Sequence, residues 1–392
     1  MQRIDVEERR ARLVRRHLLA PDERADDPLT VARSLVCLHA TDAVTVYLSI
    51  RARSNGVAPA DVERALYEER SLVRMLAMRR TLWVTPRELV PVVYAAATRA
   101  VAATQRKRLE GFVRDSGVST RPGAWITRAG KAALTAVEQR GEAMTNEVVA
   151  DVPLLAKKLR FGSGRWVVEQ SAGARVLPQL AMEGLLLRGR PRGTWISPRF
   201  RWVTTEAWLG APIEDVDVAP AQAELLRRWL AAFGPATETD MRWWTGWTAR
   251  TTRAALAAIP HAETDLGGST GYVLEGDLEP TPVPEPAAAL LPTLDPTTMG
   301  WKERDWYLGE HAGILFDTNG NAGPTVWWDG RVVGGWSQRR DGEIVYRLLE
   351  DVGAEAVAAV EAEAARLAAW VGDIRFSPGF LPPFQRALAE AG

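Results

Sequence analysis

The 392-residue sequence holds a single cysteine, Cys37. That excludes an internal disulfide framework and any structural zinc site built on cysteine clusters. Histidine is nearly as scarce: His17, His39, His261 and His311 lie far apart, and their spacing suggests no metal site. No stretch approaches the ~20 uninterrupted apolar residues of a membrane helix, and the N-terminus MQRIDVEERRARL is densely charged. Neither a membrane span nor a secretory signal is therefore expected, and the cytoplasm is the default address. Also missing are the Gly-rich run ending in Lys-Ser/Thr, the Ser elbow, the HExxH zinc motif and any cysteine-nucleophile signature. Neither cofactor nor metal is expected.

What is present is charge of both signs, unevenly placed. Net charge is +0, but residues 70–201 carry 24 Lys/Arg against 9 Asp/Glu, whereas residues 202–392 carry 14 against 28. A positive middle beside an acidic C-terminal part suits a polyanion-binding face on a counter-charged body, although two solvated surfaces of opposite sign would give the same count. A chain of this length and ordinary apolar content is expected to fold as two or three linked units.

Apolar spacing predicts a helix over residues 5–19 and a second in DPLTVARSLVCLHA, then a third through VTVYLSIRARS to Asn55-Gly56. SLVRMLAMRRTLWVTP alternates as strands do, with Arg79 and Arg80 near its middle. The pattern recurs: helices in TRAGKAALTAVEQ, TNEVVADVPLLAKKL and WVVEQSAGARVLPQLAMEGLLL, followed by two strands in LLLRGRPRGTWISPRFRWVTTEAW. That hairpin carries Arg188, Arg190, Arg192, Arg199 and Arg201 with no acidic residue between them. A third set comprises PAQAELLRRWLAAF, a Thr237-capped ETDMRWWTG, TARTTRAALAAI and the strand GYVLEG. After the proline-rich EPTPVPEPA come short Val/Trp/Ile runs separated by Gly/Asn/Asp turns, a meander of antiparallel strands, and then a closing alanine-rich helix near 353–371. The expected fold is α+β and helix-rich, with three tandem winged-helix units and a C-terminal antiparallel β segment and helix. The boundaries read 1–120, 121–212, 213–280 and 281–392.

Residues 36–42, V-C-L-H-A-T-D, place a histidine, a hydroxyl and a carboxylate just before a helix. Thr41 or Asp42 is expected to cap that helix, a role that leaves His39 available for chemistry. Arg51, Arg53, Arg79 and Arg80 read as phosphate contacts, as do the five hairpin arginines; the alternative for the hairpin is an edge kept soluble by charge. The 16 tryptophans, with pairs at Trp243-Trp244 and Trp327-Trp328, are expected to be mostly core.

Taken in order, LHATDAVTVYLSIRAR, RRTLWVTP, LLPTLDP and DGRVVGGW resemble the AlkZ/YcaQ-type winged-helix DNA glycosylases over nearly the whole chain. The resemblance implies a C-shaped arrangement of winged-helix units around a DNA channel. It also implies a nucleoid-associated, monofunctional excision of alkylated purines, chiefly N7-alkylguanine, and in some members of interstrand crosslinks. The family's catalytic motif is Gln-Φ-Gln or Gln-Φ-Asp, with Φ apolar; His39, Ala40 and Thr41 occupy those positions here, followed by Asp42 and Tyr47-Leu48-Ser49. The implied roles are a neutral His39 as base, Thr41 holding water, and Asp42 orienting His39 or stabilising a cationic sugar. The partner is double-stranded DNA and the state a monomer. A non-catalytic DNA binder and a genotoxin-sequestering protein are the other readings of the same scaffold.

Overall fold

The computed structural model describes residues 1–162 and 167–391. They fall into two compact units: residues 1–72, 83–86 and 223–392 form unit 1, and residues 73–82 and 87–222 form unit 2. The charge asymmetry follows this division, because unit 2 carries 23 Lys/Arg against 13 Asp/Glu and unit 1 carries 26 against 36.

Unit 1 opens with β1 (Gln2–Arg3), α1 (Val6–Arg16), α2 (Pro28–Ser34), β2 (Leu38–His39), α3 (Ala43–Ala52) and α4 (Pro59–Glu63). Asp5 and Asp27 cap α1 and α2 by accepting from the N–H groups of Glu8 and Thr30. β3 (Leu72–Leu76) takes the chain into unit 2 and β4 (Leu82–Pro86) brings it back. β2 and β4 run antiparallel, Leu38 opposite Val84 and His39 opposite Trp83.

Unit 2 continues with α5 (Val90–Val93), α6 (Arg99–Asp115), α7 (Pro122–Arg140), α8 (Thr145–Asp151), β5 (Lys158–Phe161), β6 (Val168–Ser171), α9 (Gly173–Met182), β7 (Leu186–Pro191), β8 (Phe200–Thr204) and α10 (Thr205–Leu209). Its core packs Ile126, Val137, Val148, Leu155, Val176 and Leu177 from three helices and the turn after α8. Two sequence expectations change here. The helix expected across TNEVVADVPLLAKKL stops at Asp151, since Pro153 cannot donate to the continuing ladder. The helix expected across WVVEQSAGARVLPQLAMEGLLL begins only at Gly173, because Val168–Ser171 pairs as a strand with Lys158–Phe161; Trp166 lies outside the described residues.

The chain re-enters unit 1 along α11 (Val218–Phe233), then α12 (Glu238–Thr245), α13 (Ala249–Ala257), β9 (His261–Asp265) and β10 (Thr270–Leu274). Thr237 caps α12 in a reciprocal box with Asp240. β9 pairs antiparallel with β10 and, over two residues, parallel with β1. β11 (Ala288–Leu291), α14 (Asp305–Leu308), α15 (Ala312–Leu315), β12 (Thr325–Trp328), β13 (Arg331–Gln338), β14 (Ile344–Leu348), α16 (Gly353–Val371) and α17 (Pro383–Glu390) complete it. The four strands β11 to β14 form one antiparallel meander. The alanine-rich α16 is present as expected but does not close the chain; α17 follows it. Fully buried indoles at Trp83, Trp229, Trp244, Trp327 and Trp336 anchor this unit, so Trp244 and Trp327 are core rather than base-stacking groups. Among the described residues no helix is long and apolar enough to cross a membrane.

Candidate functional site

The turn before β2 is tight: Val36 has φ 63 and the Cys37 amide donates to Leu35 O at 2.6 Å. Cys37 is 1% exposed, and burial pushes its thiol up to about 12, against a partly offsetting hydrogen bond with Thr85. It therefore stays a thiol and supplies no nucleophile. His39 is 4% exposed, with its ring 4.9 Å from that of Trp83. Two residues on, Thr41 is exposed. Asp42 is the N-cap of α3: Oδ1 accepts from Val44 N at 3.1 Å and Oδ2 from Gly379 N at 2.7 Å. Burial raises its pKa, and these two N–H donors oppose the rise. The segment thus joins a cap to a buried imidazole, with an exposed threonine between them.

Why the head of α3 is held so firmly is read from its other end. Every residue from Ala43 to Ala52 is buried, so the polar ones need internal partners. Thr45 donates to Thr293 O at 2.8 Å, and Ser49 to Asp295 Oδ2 at 2.7 Å. Arg53 grips Asp295 with two bonds of 2.9 and 2.6 Å and donates to Thr297 Oγ1 at 2.7 Å. Because Thr297 Oγ1 accepts from Arg53, its own hydrogen goes to His17 Nδ1 at 2.7 Å, which leaves Nε2–H to donate to Ala232 O at 3.2 Å. His17 is accordingly neutral, and burial, together with the charge of Arg53, holds its pKa well below the ordinary value.

Arg51 and Arg53 are therefore not phosphate contacts. They are 2% and 0% exposed, Arg51 paired with Glu363 at 3.2 Å and Arg53 with Asp295. A helix buried on every side turns its arginines toward interior carboxylates, since an unpaired buried charge is too costly. Glu363 also receives Arg24 at 2.8 Å and Arg366 at 2.9 Å. Burial raises its pKa, but the hydrogen bond from Arg366 and the charges of Arg24 and Arg51 outweigh that and set it below the usual glutamate value. A carboxylate with a depressed folded pKa contributes stability that is present above its unfolded pKa and is lost as pH falls through the folded value. Thermal melts should thus show stability falling as pH drops below about 4, with a shallower fall in Glu363→Gln. An unchanged acid limb in that variant would contradict the coupling.

In unit 2, Arg79 and Arg80 both sit at left-handed φ, 55 and 62, in the turn after β3; Arg79 is partly buried and Arg80 exposed. The β7–β8 hairpin forms as expected, with a register shift between Arg188 and Pro191. Its arginines divide by environment. Arg192 and Arg199 are exposed and Arg190 is half-buried. Arg201 is paired with Glu142 at 2.7 Å, a carboxylate from outside the hairpin that partly neutralises it. Arg188 is a correction: its guanidinium lies 3.7 Å over the Trp202 ring, and burial with the nearby charge of Arg74 lowers its pKa to about 10, so it packs the hairpin's base instead of reaching solvent. Arg74, 2% exposed, lies 4.1 Å over Phe200, and none of its guanidinium nitrogens has a hydrogen-bond partner among the described residues. Substituting Arg74→Met should raise the unfolding free energy by roughly 1–4 kcal/mol in denaturant titrations. A loss of stability would show that the guanidinium is compensated after all.

Asp295, Thr297, His17, Glu363 and Gly379 escaped the sequence reading as site residues. The LLPTLDP run drew attention only as a mark of resemblance, yet its Asp295 is the hub of α3's anchor. Among the described residues no group of three or more His, Cys, Asp or Glu is placed to hold a metal ion.

Comparison with curated proteins finds no match. Among solved structures, the DNA glycosylase AlkZ of Streptomyces sahachiroi superposes with a TM-score of 0.74 at 24% identity, covering 96% of this chain and 99% of that one. The likeness shows a shared fold, α+β and helix-rich with small, mainly antiparallel sheets. A family model described as DNA glycosylase AlkZ-like matches residues 32–370, most of the chain, and on that match the protein belongs to the AlkZ-like DNA glycosylase family.

Proposed function

We propose that the protein is a monofunctional glycosylase that hydrolyses the N-glycosidic bond of alkylated purines in double-stranded DNA, chiefly N7-alkylguanine and also interstrand crosslinks through that position. The observation that carries this reading is the placement of His39, Thr41 and Asp42 at the head of a helix anchored by buried ion pairs. An N7-alkylguanine is already cationic, so the C1′–N9 bond breaks with the electron pair leaving to a neutral base. The protein's task is to place water at the electron-poor C1′ and accept its proton. In this reading Thr41 holds the water and neutral His39 takes the proton as the new C1′–O bond forms. The Asp42 carboxylate, tied to two N–H groups, fixes the turn and adds negative charge near the sugar.

We assign the winged-helix role to the helix sets of the first three sequence segments, residues 1–120, 121–212 and 213–280, and take the protein to act as a cytoplasmic, nucleoid-associated monomer. Arg190, Arg192 and Arg199 of the hairpin, with Arg79 and Arg80, bind phosphates; Arg188 and Arg201 serve the hairpin's structure. Arg192→Ala with Arg199→Ala should weaken duplex binding and make the slope of log K against log salt shallower by about 0.9 for each phosphate no longer neutralised. An unchanged slope in fluorescence anisotropy would remove those residues from the interface. Incubation with duplex containing N7-methylguanine, and then with a crosslinked duplex, tests the enzyme reading through the abasic sites formed. A protein that binds both substrates and yields no abasic site is a non-catalytic binder, a reading favoured by the replacement of both motif glutamines.

A further inference from the structure

Unit 2 contains a cavity of about 280 Å³ that the excision chemistry does not use. Two helix faces and a turn build it. α6 contributes Arg108 and Phe112, four residues apart on one face, and α9 contributes Arg175 and Gln179 at the same spacing. Phe161 at the end of β5 and Arg80 from the left-handed turn also line it.

Among the described residues, three guanidinium groups line this space and no carboxylate does. Arg80, Arg108 and Arg175 are all exposed, and none of the three belongs to an ion pair among the described residues. Other arginines of the unit do pair with acids, Arg106 with Glu183 at 2.9 Å and Arg201 with Glu142. Three uncompensated cations around one hollow are a site for an anion. Two aromatic rings stand beside them in the wall. Phe112 and Phe161 meet edge to face at 4.6 Å, and the guanidiniums of Arg175 and Arg108 lie 4.3 Å over Phe161 and 5.5 Å over Phe112 respectively. A flat guanidinium already layered on a ring extends the stack to a nucleobase.

Gln179 adds a polar reader. It is 2% exposed, and its amide nitrogen is fixed by two acceptors, Ala102 O at 3.0 Å and Glu183 Oε1 at 2.8 Å. Those bonds set the amide's orientation, so Oε1 is the atom Gln179 can offer a ligand, and it accepts from a base N–H.

We propose that this cavity holds one unpaired nucleotide of a DNA strand, its base layered on the Arg175–Phe161 face and its phosphate held by Arg80 and Arg108. The proposal rests on reading unit 2 as DNA-binding. It is separate from the excision step, and binding measurements alone decide it. Anisotropy with labelled DNA would compare a fully paired duplex with the same duplex bearing a one-nucleotide bulge. The protein should bind the bulged duplex about tenfold more tightly, and Arg108→Gln with Arg175→Gln should erase the preference. Arg80→Gly removes a guanidinium while relieving a left-handed backbone, so it keeps the fold; it should lower bulge affinity severalfold. Equal affinity for the two duplexes, or a preference that survives all three substitutions, overturns the proposal. Calorimetry with free dAMP separates the sources: tight binding of the mononucleotide, abolished in the variants, would make this a small-nucleotide site and overturn the DNA assignment. Excision without bulge preference would sink the cavity reading alone; bulge preference without excision would sink only the glycosylase reading.

Discussion

Asp295→Ala is expected to lower the unfolding free energy by about 3–5 kcal/mol, the largest single loss in unit 1. The carboxylate is fully buried and accepts from Ser49, twice from Arg53, and from Thr297 N at 2.9 Å. Removing it strands the Arg53 guanidinium, itself 0% exposed, away from water and from charge. The loss measures that stranded charge and not the worth of the pair, so Arg53→Met combined with Asp295→Leu should recover most of it. Urea titrations of the two single variants and the double distinguish these cases. A single variant within about 1 kcal/mol of the parent would mean that α3 is anchored by its apolar packing alone.

His39→Ala is expected to reduce the single-turnover excision rate by about 10²–10⁴-fold while changing duplex affinity little. The imidazole is buried against Trp83 in unit 1, so its loss leaves the unit 2 arginines proposed to bind phosphates untouched. Thr41→Ser should keep activity and Thr41→Ala should lose much of it, because the hydroxyl, not the methyl group, holds water. Full activity in His39→Ala would transfer the base role elsewhere.

The α3 cap is legible in the sequence because an Asp two residues before the Val44 amide, followed by VTVYLSIRAR, obeys local rules that need no tertiary information. The β7–β8 hairpin and the meander are legible for the same reason, their alternation and turn residues being local. Arg51 and Arg53 mislead because an arginine's exposure is set by what the fold brings to it. Their partners Glu363 and Asp295 lie 312 and 242 residues away. Arg201 and Glu142, 59 residues apart, repeat the lesson within unit 2. Arg188 reads as a solvent-facing charge until the hairpin folds its guanidinium onto Trp202. The His39 and Asp42 environments depend likewise on Trp83 and on the backbone of Gly379, neighbours that only the assembled unit supplies.

The most direct test is single-turnover incubation of excess protein with a duplex holding one N7-methylguanine, following free base and abasic sites together. The parent protein should release base and form abasic sites in equal amounts, with His39→Ala at least about a hundredfold slower and His39→Gln with Thr41→Gln, which restores the family pair, active. Contradiction would be a parent that binds the duplex and releases no base, while the restored-glutamine variant does.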